Sequence, residues 1–530
     1  MIAAPAAERP PNGRPTPAQP AVSLPAATVT FEPAELDLFA NASHDRNPLH
    51  MDAGYARKTA YGERVVFGVL AVLKAFGLLP PRPNAELSAI RLEFRNALHP
   101  GVTYQLEHTE DGDAIRLRLL DAERLLASVT ASFRGAAASL GAGESRPFTP
   151  RTEAAERQLD ALCEGLTVEG SYAPSPDGLA QLIGRLGLQD RGIAPGQMAA
   201  LLWSSYLVGM EVPGKHGLFW SLDMQFAPSA NCQGRSLDYR ATIGRSAPSL
   251  EYMELRGDLA CGGQALAQAR LRAFVRRESP RANLGRLLDL LPASAALMGK
   301  RAVVVGGSRG LGAALVQALA TQGCTVRAVY AHSTDEAERV RAAASEAGGC
   351  VEMVQGDASD ATWYEDFAAR QAASEPDILI CNASPPIRPL GFSVANMARF
   401  ADFVQTSQAL VSVPLAASAQ ALAERGGWAV VISSAYVETL PAEWPHYVSA
   451  KYATEGLVHW AAARFPRPRS SARWLRPLAR RACRFPRRCP VCCPEHRRLP
   501  CRHRCRSRRW RRSSAGRRHR RVDPPWRAAI

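Results

Sequence analysis

The chain has 530 residues and is 46% hydrophobic, too long for one core, and its length predicts three or four domains. Its net charge of +16 does not describe the body: 23 Arg and two acids (Glu495, Asp523) follow residue 466, leaving 42 of the 65 basic and 47 of the 49 acidic groups to the first 466 residues, a net −5. A mildly acidic body argues against nucleic-acid recognition, and no stretch approaches the ~20 apolar residues of a membrane span.

In chain order, residues 1–27 are a Pro/Ala-rich leader, expected to be disordered and unlike a signal peptide. A first compact unit covers 28–135, a linker 136–164, a second unit 165–277 and a third 297–465. Residues 466–530 form an Arg- and Cys-rich tail, which holds six of the 12 cysteines. The other six lie scattered without CxxC spacing, which points to a reducing, cytoplasmic setting rather than a disulfide scaffold.

The first two units echo one another. Each has a mostly apolar helix, "VVFGVLAVLKAFGLL" (65–79) and "GQMAALLWSSYLVGM" (196–210), followed by alternating strands. A helix apolar on most faces must be buried, so antiparallel strands are expected to wrap it. The pattern predicts a duplicated α+β unit.

Between leader and first helix stands "NASHDRNPLHMDAGYARKTAYGERVVFG" (41–68). Pro48 disfavours helical geometry at Asn47, so the segment is expected to turn rather than wind, letting Asp45 and His50 converge. The helix start near Gly68 offers unpaired N–H groups and a positive dipole end. A carboxylate, an imidazole and an oxyanion-binding helix start suit proton transfer beside a thioester carbonyl, with water added to or removed from an α,β-unsaturated acyl group.

"DRNPLHMDAGYARKTAYGERVVFGVL" resembles the signature of MaoC-like, (R)-specific enoyl-CoA hydratases, which have the hot-dog fold. The resemblance implies that Asp45 and His50 are the catalytic acid/base pair holding the water, supported by Asn47. Phe67 departs from it, since many members have His before the Gly. The second unit has no D-x4-H and resembles the non-catalytic half of a double hot dog, which would shape the acyl tunnel.

The third unit alternates apolar strands with helices, as in a parallel sheet covered on both faces. "VVVGGSRGLGAAL" places Gly306, Gly310 and Gly312 between a strand and a helix, where the backbone can approach a pyrophosphate. A helix is expected from Ser333 or Thr334 as cap. In "YVSAK", Tyr447 and Lys451 share a helix face, and a nearby ammonium makes a phenol a better proton donor to a carbonyl receiving hydride. "VISS" offers Ser434 as a partner for that carbonyl.

Together these resemble the short-chain dehydrogenase/reductase family, a doubly wound Rossmann-type α/β fold. The resemblance implies Tyr447 as acid/base, Lys451 as its tuner and ribose ligand, and Ser434 as substrate orienter. It places Gly306, Ser308, Arg309, Gly310, Gly312, Asp357 and Asn382 at the cofactor. The second strand ends in "VYAHS" without an acid for a ribose 2′-OH, and Arg309 sits in the glycine loop; both favour NADP(H). The family's active-site Asn has no counterpart near Thr406, so the resemblance supplies no residue for that proton relay.

The tail shows no strand or helix periodicity and contains no Lys, as expected of a frameshifted end that leaves the third unit incomplete. Its Cys and His spacing matches no zinc pattern, so no metal is expected.

The whole reads as a bifunctional enzyme: a 3-hydroxyacyl dehydratase or enoyl hydratase plus an NADP-dependent 3-oxoacyl reductase, in fatty-acid or polyketide-type metabolism. Its expected partner is an acyl-CoA or acyl-carrier-protein thioester, and a homo-oligomer is compatible with the pattern. The alternatives are hydration followed by oxidation in the β-oxidation direction, a thioester-binding scaffold with a remnant reductase, and an Arg-tail nucleic-acid binder.

Overall fold

The computed structural model describes residues 22–23, 27–136, 147–228, 236–278, 281–370 and 375–465. The expectations of a disordered leader and an out-of-frame tail fall almost wholly outside these residues. Among the described residues no helix is long and apolar enough to cross a membrane.

The N-terminal region carries β1 (Val22–Ser23), β2 (Ala27–Thr30), α1 (Pro33–Ser43), α2 (Pro48–Met51), α3 (Ala53–Arg57), α4 (Gly68–Gly77), β3 (Ala85–Phe94), β4 (Thr103–Asp111), β5 (Ala114–Asp121) and β6 (Arg124–Gly135). A second set follows: β7 (Thr167–Tyr172), α5 (Pro176–Leu186), α6 (Pro195–Tyr206), β8 (Gly217–Phe226), β9 (Leu237–Ala247), β10 (Tyr252–Cys261) and β11 (Gln264–Val275). These strands form one antiparallel sheet in the order β1-β4-β5-β6-β3-β8-β11-β10-β9-β7. The two halves join where β3 pairs with β8, Ile90 opposite Met224 and Leu92 opposite Leu222.

Both long helices are swallowed by this sheet. Seven residues of α4 are buried, and α6 is buried from Gly196 to Tyr206. Each buried Leu, Val or Phe contributes ~1.5–3 kcal/mol of burial, so this core is where the sheet gains its stability. Lys74, the one charged side chain on α4, is neutralised by buried Glu35, 2.6 Å from its Oε1.

The expectation that the segment after Asn47 would not wind is corrected. Asn47 is non-helical, as the following proline demands, but Pro48 then opens the one-turn α2 as its first residue, a position where a missing N–H costs nothing. The Asn47 side chain caps that turn by accepting from Leu49 N at 3.0 Å.

After α7 (Leu284–Leu290) comes a parallel sheet of five strands: β12 (Arg301–Val305), β13 (Thr325–Tyr330), β14 (Cys350–Gln355), β15 (Ile378–Cys381) and β16 (Trp428–Val431), ordered β14-β13-β12-β15-β16. Interleaved are α8 (Gly310–Thr321), α9 (Thr334–Glu346), α10 (Ala361–Ala369), α11 (Met397–Glu424), α12 (Tyr436–Thr439) and α13 (Pro445–Arg464). Separate apolar clusters form around this sheet, one containing Val303, Leu379 and Val411, the other Val304, Val316 and Val326. Ser333 holds the cap position of α9, but its side chain makes no capping bond. Cys163, Cys324, Cys350 and Cys381 are free thiols, whereas Cys261 is in a disulfide, which the reading of scattered reduced cysteines did not anticipate.

Candidate functional site

Asp45 is aimed inward by local backbone geometry. His44 closes α1 in the left-handed region at φ 58°, a conformation His tolerates better than a branched residue would. The chain therefore reverses, and Asp45 N donates to Ser43 Oγ at 3.1 Å. Asp45 is 1% exposed. Its Oδ2 accepts from Ser205 Oγ at 2.7 Å, and its Oδ1 from Asn47 N at 3.1 Å. Burial pushes its carboxyl up to about 7, against the opposing pull of the Ser205 and Asn47 hydrogen bonds.

The far side of this carboxylate is a π turn over Leu207–Glu211 that continues α6. Such turns leave backbone groups outside the regular helix ladder and often serve sites. Here the Gly209 carbonyl accepts from Asn47 Nδ2 at 2.8 Å, and Gly214 O accepts from the same amide at 3.1 Å. A Cβ at position 209 would lie 2.4 Å from Asp45 Oδ1, so glycine is what admits the carboxylate.

His50 reaches the same space from α2. Its Nδ1 lies 2.7 Å from Val65 O, an acceptor, so Nδ1 carries the proton and Nε2 presents its lone pair. Burial drives this imidazole down to about 4, with the Arg276 charge adding to the effect and the Val65 bond opposing it. The Phe67 ring stacks on His50 with centroids 4.0 Å apart. The departure at Phe67 thus has a structural role: the ring holds the imidazole and dries one face of it.

Asp45, Asn47, His50 and Gly68 line one cavity of about 200 Å³. Ser205, Val208 and Gly209 line it from the second half, and Phe94, Phe219, Trp220 and Phe274 supply an apolar wall. Gly68 is the first residue of α4, and a Cβ there would lie 2.7 Å from the Phe94 ring. The cavity combines a carboxyl that is half protonated near neutral pH, a neutral imidazole, free N–H groups at a helix start and an apolar sleeve. Ser205 and Gly209 carry no recognisable signal in the sequence.

The second candidate site lies at the C-terminal ends of the parallel strands. Gly306 takes φ +84°, and a Cβ there would lie 2.8 Å from the Ala383 backbone. At Gly312 a Cβ would lie 1.9 Å from Gly306 O, so the loop closes tightly onto the start of α8. Asn382 Nδ2 donates to Gly306 O at 3.0 Å and so braces the loop. Ser308 is buried in that loop, and Arg309 and Gly310 lead into α8. Asp357 turns toward its own loop, accepting from Ser359 N at 2.9 Å and Ser359 Oγ at 2.7 Å.

Tyr447 stands in the first turn of α13, with Lys451 one turn later. Lys451 Nζ lies 5.6 Å from the Tyr447 ring centroid and donates to Ile432 O at 2.8 Å. Burial holds the Lys451 ammonium below its usual value. Ser434 follows β16, its Oγ accepting from Tyr436 N at 3.2 Å. The edge of the Tyr436 ring meets Tyr447 at 5.9 Å. Near the missing Asn, Ser407 Oγ is buried without a hydrogen-bond partner among the described residues, and Gln408 Nε2 donates to Ala450 O at 3.0 Å. The tight glycine turn at a helix start and the Tyr–Lys pair on α13 fit a nicotinamide dinucleotide.

Two family descriptions match. Residues 300–467 match the short chain dehydrogenase model and residues 14–119 the MaoC like domain. The cyclic-di-GMP-binding biofilm dispersal mediator protein of Escherichia coli (strain K12) is 31% identical over 173 residues, covering 32% of this chain and 68% of that protein. The L-rhamnose 1-dehydrogenase (NADP(+)) of Thermoplasma acidophilum is 39% identical over 89 residues, covering 16% of this chain and 34% of that protein. A solved structure described as a MaoC-like dehydratase aligns with a TM-score of 0.38 at 12% identity, covering 48% of this chain and 98% of that one. The chain belongs to the short-chain dehydrogenase family through its C-terminal domain, carries a MaoC-like domain in its N-terminal region, and is an enzyme that joins hydro-lyase and oxidoreductase domains.

Proposed function

We propose that the N-terminal region is a double hot dog in which one catalytic half, bearing Asp45 and His50, adds water to an enoyl thioester or removes it from a 3-hydroxyacyl thioester. The observation that carries this reading is the pairing, in one apolar-walled cavity, of a carboxyl raised to about 7 with an imidazole lowered to about 4. In the hydration direction, His50 Nε2 takes a proton from water as its oxygen bonds to Cβ. Protonated Asp45 gives its proton to Cα, and the charge that develops on the thioester oxygen faces the N–H groups at the start of α4. The product gains one H and one OH, and a proton passes from imidazolium back to carboxylate to reset the pair. Dehydration is the same path reversed.

In the C-terminal domain, the reading is a 3-oxoacyl reductase. NADP(H), when bound, supplies or accepts the hydride. Tyr447 gives its phenolic proton to the carbonyl oxygen that becomes the alcohol, Ser434 orients that oxygen, and the desolvated Lys451 ammonium favours the phenolate left behind. Gly306, Ser308, Gly310, Gly312, Asp357 and Asn382 would hold the dinucleotide. Arg309 favours a 2′-phosphate, and one relative is named for NADP(+). The two reactions are consecutive, since reduction makes the 3-hydroxyacyl group that dehydration consumes. That order fits an elongating pathway on an acyl-CoA or acyl-carrier thioester.

Supplying a short 3-oxoacyl-CoA and NADPH to the full chain tests the combined reading. It predicts NADPH consumption followed by an enoyl-CoA product in the same vessel. Consumption without any enoyl product would remove the dehydratase half of the proposal, and no consumption would remove the reductase half.

A further inference from the structure

The loop that links the Asp45–His50 segment to α4 does not stop at the dehydratase cavity. Tyr61, Val65 and Val66 line that cavity, whereas Arg57, Lys58, Gly62 and Glu63 lie against the C-terminal domain. Arg57 O accepts from Arg309 Nη1 at 2.9 Å, which ties the end of α3 to the glycine loop. Lys58 Nζ lies 2.7 Å from Glu336 Oε1 in the first turn of α9. A Cβ at Gly62 would lie 2.8 Å from Pro386 Cβ, and Glu63 pairs with Arg388. The hot-dog loop therefore spans from the glycine loop and the end of β13 to the segment after β15, along one rim of the dinucleotide cleft.

At the glycine-loop end of that rim the charges do not balance. Arg57, Lys58 and Arg309 meet there with one carboxylate, Glu336, which is engaged by Lys58 at 2.7 Å and Arg339 at 3.2 Å. Among the described residues no carboxylate forms an ion pair with Arg57 or Arg309. Burial, and then the Arg57 charge, hold the Arg309 guanidinium below its usual value; the Glu336 charge opposes them. Arg309 thus reaches the Arg57 backbone and lies within range of the Arg57 charge, and cations without an ion-paired carboxylate suit an anion, a guanidinium fork matching phosphate oxygens.

We propose that Arg57 and Lys58 of the hot-dog domain join Arg309 in holding the 2′-phosphate of NADP(H), so that the dehydratase domain completes the cofactor site of the reductase. The inference rests on the NADP(H) reading above. It makes cofactor choice a property of the domain junction and not of the Rossmann domain alone. Glu336 does not defeat the site, because Arg339 stays on it at 3.2 Å while Lys58 is shared with the phosphate.

Equilibrium titration of the full chain with NADPH and with NADH, followed by cofactor fluorescence, tests this without turnover. The native chain should bind NADPH more tightly. The Arg57→Ala/Lys58→Ala variant should weaken NADPH binding by about tenfold or more, the loss expected for one or two charge-assisted contacts, while NADH binding changes by less than about twofold. Arg57→Lys should recover part of the loss. A double variant that keeps the native NADPH preference, or that weakens both nucleotides equally, overturns the shared site and leaves the NADP(H) reading standing. A native chain that shows no preference, or binds neither nucleotide, overturns the NADP(H) reading itself and the shared site with it.

Discussion

Ser205 donates to the Asp45 carboxylate at 2.7 Å from 160 positions further along the chain. The acid of the first half is thus tuned by a hydroxyl of the second, and the duplicated helix α6 serves the chemistry as well as the core. Because this bond favours the ionised acid, its loss should push the Asp45 carboxyl higher still. Ser205→Ala should move the pH limb of kcat/KM for enoyl thioester hydration that reports Asp45 toward alkaline pH and reduce the rate by about tenfold, the range of a single acid/base contribution or less. A rate profile superimposable on the native one would remove Ser205 from the site.

Gly209 faces the same carboxylate, with room for hydrogen only. Gly209→Ala would set a methyl 2.4 Å from Asp45 Oδ1. The strain should cost about 1–3 kcal/mol of stability, as overpacking does, and displace the acid. Thermal unfolding and hydration rate should fall together, while NADPH binding by the C-terminal domain holds.

The acid/base pair should leave opposite marks on stability. Asp45 titrates at about 7 when folded and near 4 when unfolded, so its contribution is fully present below pH 4 and is lost as pH rises through 7. His50 titrates at about 4 when folded and near 6.5 when unfolded, so its contribution is present above 6.5 and is lost as pH falls through 4. Between those values the two slopes oppose one another. Asp45→Asn removes one of them, so the stability of that variant relative to the native chain should grow by about 4 kcal/mol from pH 4 to 7. Denaturant unfolding at stepped pH measures the difference, and a flat difference would mean that the buried carboxyl is not raised.

Lys451 is desolvated beside Tyr447 and bonded to Ile432 O. Lys451→Met should abolish ketone reduction by about a hundredfold or more, given the scale of general acid catalysis, and leave enoyl hydration intact. Loss of both activities together would show that the two sites are not chemically separate.

The features legible in the sequence were the local ones. Asp45 and His50 are five positions apart in one short segment, Pro48 keeps Asn47 non-helical, and the apolar run after Gly68 marks a helix that must be enclosed. Tyr447 and Lys451 lie on one helix face, and the glycines after β12 announce a tight turn. Relationships that depend on packing between distant segments left no such trace. Ser205 sits among "WSSYLVG", where one serine looks like another, and the π turn that frees the Gly209 carbonyl arises from how α6 ends against β8. Phe67 was visible only as a departure, because its stacking on His50 exists only once the loop is folded. Nothing in the sequence around Arg57 marks it, and only the fold sets its backbone against Arg309.

The central claim is that Asp45 and His50 together move water on and off an acyl thioester. Loss of the conjugated enoyl-thioester absorbance, followed with the native chain, Asp45→Asn, His50→Gln and Tyr447→Phe, tests it most directly. The account predicts full hydration by the native chain and by Tyr447→Phe, and a loss of about a thousandfold or more in each of the other two, within the range of a displaced acid or base acting in concert. Hydration by Asp45→Asn or His50→Gln within about tenfold of the native rate would contradict it.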